Sequence, residues 1–184
     1  RTDHHWTTNG AFIAYNKVAE VMGLSKFDKN DFNVETVSDS FEGTLYSKTL
    51  GKSVTPDSII QYKSKTGGNI TIEDENGVSD FYKYDKLDEK DKYLFFGGEN
   101  KGIETVRSNI KNGRRLLLIK DSYANSVIPF LALNYEEITS LDLRYATASV
   151  MKSIDKSIYD EILFLYNCDG FSAETSLSKL MIAS

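Results

Sequence analysis

Between residues 7 and 23 the apolar positions recur at helical spacing, with Phe12, Tyr15, Val18, Ala19 and Met22 on one side of a 3.6-residue repeat. Thr7 or Thr8 suits the N-cap and Gly23 the stop, so this stretch is predicted to be a helix. From 35 to about 105 the helical period disappears. Short β-type runs at 34–37, 43–46 and 70–72, a turn at 75–77 and the Gly67-Gly68 and Gly97-Gly98 pairs predict strands and turns rich in tyrosine. Beyond 105 the pattern changes again. An all-apolar run at 116–119 is followed by a second run at 138–143 and a third at 162–166, spaced by a little over twenty residues, and helix-like segments at 128–133 and 146–154 lie between them. Continuous apolar strands alternating with helices predict an α/β fold, with a parallel sheet covered on both faces.

The length of 184 residues suits one domain over 1–184, with 35–105 as a β-rich insertion within it. A formal net charge of -5 and a pI near 5.1 argue against nucleic acid, which needs a concentrated basic face. They leave a neutral or weakly charged polysaccharide open as a partner. The single cysteine, Cys168, has no internal disulfide partner and is expected to be a buried packing residue. No apolar run reaches the roughly 18 residues of a membrane span. The lysine- and acid-rich run 86–92 is expected to be a solvated face. The chain opens with Arg1 rather than Met and runs straight into its most unusual motif, so further sequence, including any targeting segment, is expected upstream.

That motif is Asp3-His4-His5-Trp6, which contains both histidines of the chain. A hydroxyl nucleophile needs an imidazole to take its proton and a carboxylate to hold the imidazole in the right tautomer. In an extended or turn segment the two-residue spacing puts Asp3 and His5 on one side and His4 on the other. A surface His-His pair is the bland alternative, and a metal site would need ligands beyond these. Ser122 follows the apolar run 116–119, where open α/β sheets place their ligands, at the start of a turn whose N–H groups favour negative charge. Ser and Asp there also serve as plain helix caps. Asn167 ends the third run and either donates to an oxyanion or forms a turn. Arg144 and Tyr145 end the second run, where they bind substrate or brace the Asp, or form an ordinary ion pair and a packed ring. The loop 97–100 is either close to the site or only a turn.

The blocks Asp3-His4-His5-Trp6-Thr7-Thr8-Asn9-Gly10-Ala11, Lys120-Asp121-Ser122-Tyr123-Ala124-Asn125-Ser126 and Asp142-Leu143-Arg144-Tyr145 together resemble the DHHW family. That family is similar to the SGNH-like proteins of alginate acetylation, in which an Asp-x-His-Trp motif precedes the nucleophilic serine. The resemblance implies an SGNH-hydrolase-like sheet flanked by helices, with Asp3, His5 and Ser122 catalytic and Asn167 matching the SGNH asparagine. It implies an O-acetyltransferase or acetyl esterase of the bacterial cell envelope, extracellular or at the cell surface. The partners implied are a polysaccharide or acetylated carbohydrate and an acetyl donor supplied by a membrane protein, with no cofactor and no metal. Lys120 departs from the glycine usual before Asp-Ser in SGNH serine blocks. The alternative is a catalytically inactive envelope protein that holds or assembles glycan with its aromatic residues.

Overall fold

The computed structural model describes residues 2–49 and 54–181. They form two compact units, one running to Gly68 and taking in Tyr82–Gly98, the other comprising Asn69–Phe81 and the chain from Glu99 on. The residues 35–105 therefore supply strands to both units.

In the first unit, α1 (Thr8–Met22) is the helix expected from the apolar spacing: Thr7 Oγ1 accepts from the Gly10 N–H, and Gly23 closes the helix in the left-handed region at φ 66°. Its buried face is Ala11, Phe12, Tyr15 and Ala19. β1 (Phe32–Phe41) and β2 (Asp57–Ser64) form an antiparallel pair whose register slips after Thr36 and after Ser38. Phe12 stacks on Tyr62 at 5.2 Å and meets Phe32 edge-on at 5.7 Å, so aromatic packing joins helix to ribbon. Between the strands lies α2 (Thr44–Thr49), where a strand was expected at 43–46. The Thr44 N–H is taken by the Asp3 carboxylate, a long-range bond that β-type composition does not signal.

The second unit contains a mixed sheet. β3 (Thr71–Asp74) and β4 (Gly77–Asp80) make a hairpin through Glu75 and Asn76, as the turn at 75–77 predicts. Along the chain come next β5 (Ile103–Arg107), β6 (Arg115–Lys120), α3 (Ile128–Leu131), β7 (Glu137–Leu141), α4 (Ala148–Ser153), β8 (Glu161–Leu165) and α5 (Cys168–Ser172). The strand order is β4-β3-β5-β7-β6-β8. The three apolar runs are the parallel part, with β6 between β7 and β8. The sheet is not parallel throughout: β5 is antiparallel to β7, and β3 to β5. The result is a mixed α/β fold with its sheet flanked by helices.

Leu117, Ile119, Leu141 and Leu143 face one way and pack with Met151 and Ile154 of the α4 region. β8 differs from the expectation of burial on both faces, because Ile162 is 46% and Phe164 48% exposed. Among the described residues it stands at the end of the strand order, paired with β6. Cys168 is exposed at the start of α5, not a packing residue. Among the described residues no helix is long and apolar enough to cross a membrane.

Candidate active site

In the first unit the chain bends at residues 3–5, and Asp3 turns its carboxylate back toward His5. Asp3 Oδ1 accepts from the His5 N–H at 2.9 Å, the local turn that aspartate favours, and from His5 Nδ1 at 2.5 Å. Asp3 Oδ2 accepts from the Thr44 N–H at 2.8 Å and the Thr44 hydroxyl at 3.2 Å. The side chains of Asp3 and His5 are only 7% and 9% exposed. Desolvation works to raise the Asp3 carboxyl. The hydrogen bonds from the His5 ring, the Thr44 N–H and the His5 N–H, with attraction to His5, outweigh it and hold the group well below the usual carboxylate range. An ionised carboxylate only accepts, so His5 Nδ1 carries the proton and Nε2 is the basic nitrogen. The ring lies flat on Tyr93, 3.6 Å between centroids and 5° between planes.

His4 does not point away from His5 as an extended segment would require. The bend brings the two rings to 3.8 Å, tilted by 40°. His4 Nδ1 donates to the Thr44 hydroxyl at 2.6 Å, which in turn donates to Asp3. Burial lowers the His4 pKa, His5 adds to that and Asp3 opposes it. Asp3, His4 and His5 each offer a ligand atom close enough to the others to share one divalent ion. The shortest of those approaches, His5 to Asp3, is already a hydrogen bond.

In the sequence Gly43 and Thr44 read only as the start of a β-type run. A Cβ on Gly43 would lie 2.3 Å from both Asp3 Cβ and Oδ2, so only glycine lets the carboxylate sit against this backbone. A Gly-Thr pair 41 residues from the aspartate carries no signal of that contact.

In the second unit Ser122 opens a short 3₁₀ turn, Ser122–Ser126, two residues past the end of β6. Asp121 is buried and caps the turn, Oδ1 accepting from the Tyr123 N–H at 2.9 Å. Asp121 Oδ2 accepts from Asn167, from Nδ2 at 2.6 Å and from the backbone N–H at 3.0 Å. Asn167 Oδ1 caps α5 through the Gly170 N–H at 2.6 Å. The Asn167 amide is thus engaged at both ends, with one N–H of Nδ2 committed to Asp121. Lys120, the departure from the usual glycine, and Asn125 of the turn itself are both buried.

Arg144 grips Asp142 with Nε at 2.9 Å and Nη2 at 2.6 Å. Asp142 is fully buried, and this bond, before the opposing desolvation, holds the guanidinium above its ordinary range. Tyr145 is exposed, with the Arg144 guanidinium 5.4 Å from its ring centre. Asp3 and His5 therefore belong to one unit, and Ser122, Asn167, Arg144 and Tyr145 to the other.

A family model described as DHHW protein matches residues 1–141. A crystal structure of a DHHW family protein from Eubacterium siraeum is similar to the whole chain, with a TM-score of 0.80 and 27% identity. Bacillus cereus PatB1 is similar over 95% of the chain, with a TM-score of 0.73 and 23% identity. PatB1 with a sulfonyl adduct is similar over 99%, with a TM-score of 0.71 and 20% identity. The chain spans 63% of the Eubacterium siraeum protein and 63–64% of the two PatB1 structures. No curated protein matches the sequence.

Proposed function

The chain belongs to the DHHW protein family, and from that membership we propose that it is an SGNH-like serine acyl-ester enzyme, an O-acetyltransferase or acetyl esterase acting on cell-envelope polysaccharide. The observation that carries the reading is the bond between His5 Nδ1 and the buried Asp3 carboxylate, which fixes the tautomer a general base needs. Ser122 supports it, presented on a capped turn after a parallel strand. The PatB1 likeness adds a fold that has carried a sulfonyl adduct, and sulfonyl reagents trap activated nucleophiles.

In this reading His5 Nε2 takes the proton as Ser122 Oγ attacks the acetyl carbonyl. The oxyanion is met by the Ser122 N–H and the second N–H of Asn167 Nδ2. The intermediate collapses to acetyl-Ser122, and the leaving alkoxide takes the proton from His5. A sugar hydroxyl or water then gives its proton to His5 and attacks the acetyl group; as the acyl–Oγ bond breaks, His5 returns the proton to Ser122 Oγ and the free serine is restored. Arg144 holds Asp142 and leaves Tyr145 exposed as a face for a sugar ring. The substrate is either a polysaccharide that receives acetyl groups from a donor supplied by a membrane partner or an acetylated carbohydrate that loses them, and the protein works outside the cell.

The exposed ring of Tyr145 also favours a second reading, an inactive glycan-holding protein. Release of p-nitrophenol from its acetate ester, with and without a sugar acceptor, separates the two. Wild type is expected to turn over and Ser122→Ala is not. Equal rates in both leave the glycan-holding reading.

A further inference from the structure

The strand that leads to Ser122 ends in a lysine that is taken out of water. Lys120 is 1% exposed. Its Nζ donates to Asn125 Oδ1 at 2.7 Å and, at longer range, to Asn100 Oδ1 at 3.4 Å. Asn125 Nδ2 donates to the same Asn100 oxygen at 3.2 Å. Neutral amide oxygens compensate a buried ammonium poorly. Burial accordingly pushes the Lys120 amine below its ordinary range. Asp142 and Glu104 oppose the shift, Arg144 adds to it and Asp121 opposes it. An apolar side chain would fill the end of a strand at lower cost. The charge calls for another explanation.

What the ammonium holds supplies one. Asn125 is the third residue after Ser122 in a 3₁₀ turn, and residues three apart eclipse in that geometry. A grip on Asn125 therefore fixes the rotation of the turn about its axis, and with it the direction in which Ser122 projects. Asp121 holds the turn separately, through Tyr123 and Asn167. We infer that Lys120 is a positioning residue for Ser122, tying the turn through Asn125 to the loop at Asn100. Its effect on reactivity rests on Ser122 being the nucleophile proposed above, whereas the clamp itself does not.

The test is made on the intact protein with Lys120→Met, which keeps length and removes the charge, and Lys120→Gln, which restores a donor. Three quantities are measured: amide hydrogen exchange through 122–127, the rate at which phenylmethylsulfonyl fluoride labels Ser122, and the melting temperature. Ser122→Ala serves as the labelling blank. In Lys120→Met, exchange in the turn is expected to rise about tenfold or more while the strand amides of β6 and β7 hold. Labelling is expected to fall about 10- to 100-fold, comparable to the loss of one positioned group. Melting should stay within a few degrees of wild type, because the lost hydrogen bond is offset by relief of the buried charge. Lys120→Gln should recover part of both changes and serves as the test variant if Lys120→Met does not fold. Unchanged exchange in the turn overturns the proposal whatever the labelling shows. Faster exchange with unchanged labelling overturns it too. If wild-type Ser122 takes no label, the nucleophile reading fails and the exchange result alone decides the clamp.

Discussion

Gly43→Ala is a one-carbon change remote in sequence from the aspartate it would displace. The added Cβ would sit 2.3 Å from Asp3 Cβ and Oδ2, well inside the 3.0 Å that real Cβ contacts essentially never breach. Either the Gly43 backbone or the Asp3 side chain must retreat. Retreat stretches the 2.8 Å bond from the Thr44 N–H and disturbs the grip on His5 Nδ1. Overpacking costs about 1–3 kcal/mol, and a weakened hydrogen bond to a charged group adds to it, so we expect a loss of about 2–3 kcal/mol. For a chain of this length that lowers melting by roughly 4–12 °C. The effect on turnover should be larger in proportion, because a displacement of about 1 Å at a catalytic group costs about 100-fold. Esterase kinetics and melting curves are to be run on Gly43→Ala, Asp3→Gly and the double variant. Truncating Asp3 to glycine removes the atoms the new methyl meets, so the melting losses should be strongly non-additive. Wild-type turnover and melting in Gly43→Ala, or additive losses in the double variant, would refute the packing argument.

Asn167→Ala is expected to cost about 1–2 kcal/mol in melting through the lost cap of α5, and roughly 10²–10³-fold in turnover if its second amide proton meets the oxyanion. A melting loss with normal turnover would restrict Asn167 to structure. Asp3 also has a pH signature. Its folded pKa is depressed, so its contribution to stability is present above the unfolded value near 3.9 and is lost as pH falls below it. Melting measured from pH 7 downward should therefore fall less steeply below about pH 4 in Asp3→Asn than in wild type, and parallel curves would contradict the assignment. Finally, exhaustive chelation and His4→Ala should each leave most esterase activity. Loss on chelation, restored by zinc, would make Asp3, His4 and His5 a metal centre instead.

The parts of the molecule legible in the sequence are those built from local signals. Thr7, the apolar stripe and Gly23 delimit α1 because capping and periodicity act within a few residues. The three apolar runs mark the parallel strands for the same reason. The antiparallel extension by β5 and β3 is hidden, since pairing partners 30 or more residues apart leave no periodic trace. α2 has the look of a strand because Leu45 and Tyr46 have β-type side chains, while its first N–H is bonded 41 residues away. Asp3 and His5 stand out by chemistry and spacing. Alternate residues share a side only in extended chain, however, and the bend brings His4 to the same side as well. Lys120 reads as the polar end of an apolar run. Its burial depends on Asn100 and Asn125, whose roles no single-sequence pattern reveals. Cys168 is expected inside for its residue type, but the start of α5 leaves it exposed.

The central claim, that Ser122 is acylated with His5 as its base, is tested most directly by mass spectrometry of protein quenched in acid during turnover of p-nitrophenyl acetate. One acetyl group is expected on the peptide containing Ser122 in wild type, and none in Ser122→Ala or His5→Ala. Acetylation absent from that peptide while wild type still turns over, or turnover undiminished in Ser122→Ala, would contradict the account.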